Sequence, residues 1–290
     1  MLTGCRIPKV RELYKSARYS YDVQICMNTA REEEIMKEQF ARTAMLLGEE
    51  GVAALEAASV IVFGIGGVGS YVAEGLARAG IGRITLVDKD TIDITNINRQ
   101  LPALHSTVGR LKAEVMAERI ADINPDCTVE AVRCFFLPET AGDFDFSEYD
   151  YVVDAIDNVA GKLAIIEKSY REGAPVISSM GTGNKLDPSG FRISVIEKTK
   201  VCPLAKVMRR ELKSRGIKGV KVLYSEELPV KHGMGPTPGS VSFVPSAAGL
   251  MIAGEVIKDI CRRNAQAVQT GSTDADNNPA GSAAAYAEGE

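Results

Sequence analysis

The run "SVIVFGIGGVGSYVAEGLARAG", residues 59–80, constrains the fold more than any other stretch of the chain. A short β-branched strand pattern meets a turn holding Gly64, Gly66, Gly67 and Gly69, after which Val72, Leu76 and Ala79 share one helical face. A strand that passes into a helix through such a turn opens a parallel β-α-β unit. The glycines permit close backbone approach, and the helix start offers free N–H groups and the positive dipole end to a phosphate. A nucleotide is therefore expected, with NAD and ATP both open.

The alternation continues downstream. "RITLVD", "TVEAVRC", "YVVDAID" and "PVISSM" read as strands, separated by the helical patterns "LKAEVMAERIADIN" and "AGKLAIIEKSYREG". After Gly181 the strands "FRISVIE" and "KVLYSEE" flank a charged helix, "PLAKVMRRELKSRG"; a loop then leads through "SVSFVP" into a closing helix, "SAAGLMIAGEVIKDICRR". The expected fold is α/β: a Rossmann-like, doubly wound, mainly parallel sheet with a C-terminal extension of the same sheet. Residues 1–30 lack periodicity and read as an extension, residues 31–264 as one nucleotide-binding domain, and residues 265–290 as a disordered tail with little to bury.

Composition narrows the classes. A formal net charge of -4 argues against a wholly basic nucleic-acid binder while allowing a local basic patch. The six cysteines form no C-x-x-C pair, so no structural zinc is expected, and free thiols fit a reducing compartment. No apolar run approaches the ~20 residues of a membrane helix, and no signal-peptide core stands at the start. These features point to a cytoplasmic protein without a membrane span.

The segment "LVDKDTIDITNINRQ", residues 86–100, separates the nucleotides. Asp88 follows the glycines at roughly the 20-residue spacing of a ribose-binding acid. A dinucleotide needs little more, yet Asp90, Asn96, Asn98, Arg99 and Gln100 follow at once, and Lys112 opens the next helix. Cleaving the α–β bond of ATP builds charge on the phosphates and calls for such donors. Arg99 can clamp phosphates as a fork, Lys112 can add a point charge, and Asp90 and Asn96 can position ribose, metal or phosphate. "VVDAIDN" places Asp157 at a strand's C-terminal end, suited to magnesium, although Asp157 or Asn158 can equally cap the next helix.

The ordered set G-x-G-G-x-G, D-x-D-x-x-x-x-x-N-x-x-R-Q, a lysine and D-x-x-D-N strongly resembles the ubiquitin-activating-type (ThiF/MoeB-like) adenylating superfamily over about residues 36 to 262. The resemblance implies an ATP site formed by Gly66, Gly67, Asp88, Asp90, Asn96, Arg99, Gln100, Lys112 and Asp157, with magnesium. It also implies a homodimer in which Arg42 reaches the partner's phosphates. The zinc-binding C-x-x-C pairs and thioester cysteine of other branches are missing, and Cys202 is the only cysteine in a suggestive place. The basic stretch around Lys206, Arg209, Arg210 and Lys213 fits contact with a phosphate backbone. The whole pattern, "NINRQLPALHSTVGRLKAEVMAERIADINP" with "CPLAKVMRRELK" and "GSVSFVPSAAGL", resembles the branch that dehydrates threonylcarbamoyladenosine in tRNA next to the anticodon.

The candidate partners are that tRNA, a second copy of the chain and a sulfur-relay partner protein. Alternative activities are adenylation of a sulfur carrier's C-terminal glycine, NAD-dependent oxidoreduction and non-catalytic nucleotide sensing. His105 and His232 stand in loop-like contexts and receive no role.

Overall fold

A computed structural model describes residues 38–231 and 237–275. The chain divides into two compact units, Met1–Gly48 and Glu49–Glu290. In the first, residues 38–47 are helical, with Phe40 buried and Arg42, Met45 and Leu46 exposed. The expected extension over 1–30, His232 and the tail beyond Ala275 lie outside the described residues.

The second unit begins with α1 (Glu49–Glu56), β1 (Ser59–Phe63), α2 (Gly69–Ala79) and β2 (Arg83–Val87). It continues with α3 (Lys112–Ile123), β3 (Thr128–Val132), β4 (Tyr151–Asp154), α4 (Val159–Glu172) and β5 (Val176–Ser179). The last elements are β6 (Phe191–Val195), α5 (Pro203–Ser214), β7 (Lys221–Ser225) and α6 (Phe243–Ala275). One seven-stranded sheet runs in the order β3-β2-β1-β4-β5-β7-β6. Every pairing is parallel except β6 with β7, so the late strands extend the sheet as expected.

The order reverses between β1 and β4, the switch point where open α/β sheets leave a crevice beyond their strand ends. Register brings the crevice-forming residues abreast, with Phe63 opposite both Val87 and Asp154. Gly64 N–H donates to Val87 O and Ala155 N–H to Phe63 O, each at 2.8 Å, carrying the ladder just past the strand ends. Ile61 and Phe63 pack with Ile165 of α4, and Phe63 meets the Phe136 ring edge-on at 4.7 Å. Val60 and Val62, turned to the other face by the pleat, are also buried. Such two-sided cover explains why the central strands are apolar throughout.

The closing helix is longer than expected. It already begins at Phe243, within "SVSFVP", with Pro245 in its first turn, where a fixed φ and missing N–H fit a helix start. The same helix continues to Ala275, past the expected end near residue 264. Ala265, Gln266 and Ala267 are good helix formers and favour the start of that extension.

A charged cluster joins β7 to α6. Lys221 Nζ lies 2.9 Å from Glu255 Oε1 and 2.5 Å from Asp259 Oδ2, while Lys258 Nζ lies 2.8 Å from Glu255 Oε2. Burial pushes the Glu255 carboxyl up, but hydrogen bonds from Lys221 and Lys258 outweigh it and hold the group down at about 2. A depressed folded pKa contributes stability above the ordinary value of 4.5 that is lost as pH falls toward about 2. Across that acidic window, Lys221→Met should lose less Tm than the parent, as thermal unfolding monitored by circular dichroism would measure.

Candidate functional site

The crevice is a cleft of about 700 Å³, within the size range of small-molecule sites. Its lining unites Gly64, Gly66, Gly67, Asp88, Asp90, Arg99, Gln100, Lys112 and Asp157, residues drawn from four separate stretches of sequence. The glycine turn is sterically required. Gly64 has φ +86°, and a Cβ there would stand 2.9 Å from the Ala155 backbone; one on Gly69 would fall 1.8 Å from Gly64 O. Gly69 therefore serves the turn's packing and does not line the cleft.

Asp88 fastens the turn to the end of β2. Its Oδ2 accepts from Ile65 N–H at 2.7 Å and its Oδ1 from Asp90 N–H at 2.8 Å. Burial raises the Asp88 pKa, with those two hydrogen bonds and the Lys112 charge acting in the opposite direction. Lys112 is itself buried and is aimed by Asp90, whose Oδ2 lies 3.0 Å from Nζ. The half-buried Arg99 uses Nη1 to donate to Thr95 O at 2.9 Å and Asn98 Oδ1 at 2.8 Å. It has no carboxylate partner among the described residues, so its charge stays available to an anion.

Asn96 is not among the lining residues. Its Oδ1 accepts from Asp93 N–H at 3.1 Å in a capping box that shapes the turn before Arg99. The helix-cap alternative after β4 falls to Asn158, whose Oδ1 accepts from Gly161 N–H at 2.7 Å. Asp157 is exposed at the cleft and, among the described residues, makes no hydrogen bond or ion pair. Two cleft-lining residues hold buried polar atoms that have no partner among the described residues, Gln100 Oε1 and Asn158 Nδ2, and a ligand could satisfy them.

Arg42 lies in the separate N-terminal unit. Lys206, Arg209, Arg210 and Lys213 stand on α5, outside the cleft lining, but that helix starts at Cys202, Pro203 and Leu204 in the cleft wall. Lys206, Arg210 and Lys213 are exposed, Arg210 pairing with Glu211 Oε1 at 2.8 Å, whereas Arg209 is tied to Thr199 O at 2.9 Å and Thr199 Oγ1 at 2.6 Å. Cys202 is buried at the head of the helix. His105 is absent from the lining.

Sequence reasoning missed a buried cation beneath the cleft. Lys162 of α4 is fully buried, with Nζ 3.0 Å from Asp154 Oδ2 and donating to Ser179 O at 2.6 Å. Asp154 Oδ2 also accepts from Ser178 Oγ, and Asp154 Oδ1 accepts from Ile156 N–H at 3.2 Å. One lysine thus joins the ends of β4 and β5 under the Asp157 loop. Its signal was faint: the first acid of D-x-x-D and a lysine one helical turn into α4 are ordinary residues until the fold stacks them.

The described residues include no helix long and apolar enough to cross a membrane. Comparison with known proteins finds relatives over most of the chain. Bacillus subtilis tRNA threonylcarbamoyladenosine dehydratase is 46% identical over 244 residues, covering 78% of this chain and 96% of that one. The Escherichia coli protein of the same name is 43% identical over 199 residues, 66% of this chain and 74% of its own. A structure of the E. coli dehydratase TcdA in complex with ATP superposes with a TM-score of 0.75 at 39% identity, covering 79% of this chain and 96% of that chain. The ThiF family model matches residues 40–282, and the chain belongs to the ThiF family.

Proposed function

We propose that this chain dehydrates threonylcarbamoyladenosine in tRNA, using ATP to activate the base's carboxylate. The observation that carries the reading is the single cleft joining the glycine turn and Asp88 to Arg99, Lys112 and Asp157. The close relatives named for this dehydration and the ATP complex of one of them support it.

A carboxylate oxygen of the threonyl group attacks the α-phosphate, and the bond to pyrophosphate breaks. The resulting acyl adenylate is then attacked at its carbonyl carbon by the neighbouring carbamoyl nitrogen or oxygen. The ring closes, the attacking group gives up its proton, and AMP departs with the former carboxylate oxygen. The net change in the nucleoside is loss of water. Arg99 and Lys112 face the charge that gathers on the phosphates, Asp88 holds the ribose, and Gly66 and Gly67 leave room for the phosphate backbone. No protein nucleophile is needed.

Magnesium fits this donor set, because it favours one or two carboxylates together with phosphate oxygens, and Asp157 offers an uncommitted carboxylate. Bound there, the ion would neutralise phosphate charge. A homodimer would bring Arg42 to the partner's phosphates; the exposed apolar Met45 and Leu46 beside it suit a subunit contact. Acting on tRNA, the enzyme would work in the cytoplasm.

AMP formation tests the reading. AMP should form with tRNA bearing threonylcarbamoyladenosine and not with unmodified tRNA; equal AMP from both would contradict it. The exposed Lys206, Arg210 and Lys213 supply the one-sided charge expected of a backbone contact. Replacing all three with glutamine should raise the tRNA KM on the order of 10-fold and flatten its salt dependence, with the ATP KM unchanged in steady-state assays. Adenylation of a carrier protein's C-terminal glycine would use the same cleft, but the close relatives do not favour it.

A further inference from the structure

Lys185 is a second buried ammonium at the cleft, and its surroundings differ from those of Lys162. It lines the cleft, is only 4% exposed, and donates from Nζ to Glu227 O at 2.6 Å. Among the described residues it forms no ion pair. The nearby Glu227 carboxylate is already committed, accepting from Leu186 N–H at 2.8 Å and Asp187 N–H at 3.0 Å. A buried charge without a counter-charge is costly, and an anion entering the cleft would relieve that cost.

The backbone beside Lys185 is firmly set. Asn184 has a left-handed φ of 58°, donates from N–H to Gly239 O at 2.8 Å, and accepts from Gly239 N–H at Oδ1 at 2.6 Å. Val230 N–H donates to Asn184 O at 2.7 Å. These bonds join the chain after β5 to two loop segments and fix where the ammonium stands. Asn accepts the left-handed conformation more readily than most residues.

Position decides which anion is meant. Asp88 and the glycine turn follow β2 and β1, whereas the Lys185 loop follows β5, two strand spacings beyond β1 or about 10 Å across the sheet. A nucleotide anchored at β2 and β1 has its ribose and phosphates over the first part of this span. The acid that attacks the α-phosphate must come from the other side. We propose that Lys185 binds the substrate's carboxylate and holds it for attack on ATP, an inference that rests on the carboxylate-adenylation reading above.

The test is a kinetic comparison of wild type, Lys185→Met, Lys185→Gln and Lys185→Arg, using ATP and tRNA bearing threonylcarbamoyladenosine. Loss of one charge-assisted hydrogen bond should raise the tRNA KM of the Met and Gln variants by about 10- to 100-fold. The ATP KM should stay within about twofold, and Lys185→Arg should recover much of the loss. The Gln variant retains a donor for Glu227 O and carries the test if the Met variant fails to fold. A matching rise in ATP KM would assign the ammonium to phosphate and overturn the inference. Unchanged values for both substrates would make Lys185 purely structural. A wild-type enzyme inactive on the modified tRNA would refute the parent reading before any variant is compared, and this inference with it.

Discussion

Asp157→Ala should lower turnover by about 10²–10³-fold, the usual cost of losing one electrostatic partner of a reacting phosphate. The same change should leave stability nearly untouched. Asp157 is exposed and makes no hydrogen bond among the described residues, while Asn158 caps α4 without its help. Surface substitutions away from specific contacts usually fall within about ±0.5 kcal/mol. Steady-state kinetics paired with thermal unfolding would check both halves. Near-wild-type turnover would remove Asp157 from the reaction, and a large drop in Tm would show that its role is structural.

Lys162→Met should behave in the opposite way. It leaves Asp154 charged and fully buried with its ammonium gone, and breaking a buried pair in this manner costs about 3–5 kcal/mol. For a unit of this size, that corresponds to a fall in Tm on the order of 10 °C. Activity should fall as well, because Asp154 Oδ1 holds Ile156 N–H and thereby the loop bearing Asp157. Adding Asp154→Asn should restore part of the lost Tm by removing the stranded charge. The double variant should still lack full activity, since the tie to Ser179 O is not restored. Calorimetry of the three proteins measures this: no recovery in the double variant would show that packing, not charge, sets the cost.

Much of the site was legible because its parts follow local rules. Glycine spacing, an acid at the ribose distance and polar residues just beyond strand ends can each be read without knowing what lies opposite. The parallel sheet then had to bring Gly64, Asp88 and Asp157 to one edge. What escaped depends on the third dimension. Lys162 and Lys185 occupy unremarkable helix and loop positions, and only strand register and the return of the chain after β7 reveal their burial. Asn96 could be placed near the site, but not distinguished as a turn-shaping residue, until its bond to Asp93 was known. The start of α6 at Phe243 was not marked in the sequence, and its packing against α2 is what fixes it.

Mass spectrometry of nucleosides from tRNA bearing threonylcarbamoyladenosine, incubated with the purified protein, ATP and magnesium, tests the central claim most directly. The modified nucleoside should lose the mass of one water, only when ATP is present, with AMP formed in equal amount. An unchanged nucleoside, from protein that is folded and binds ATP, would contradict the account.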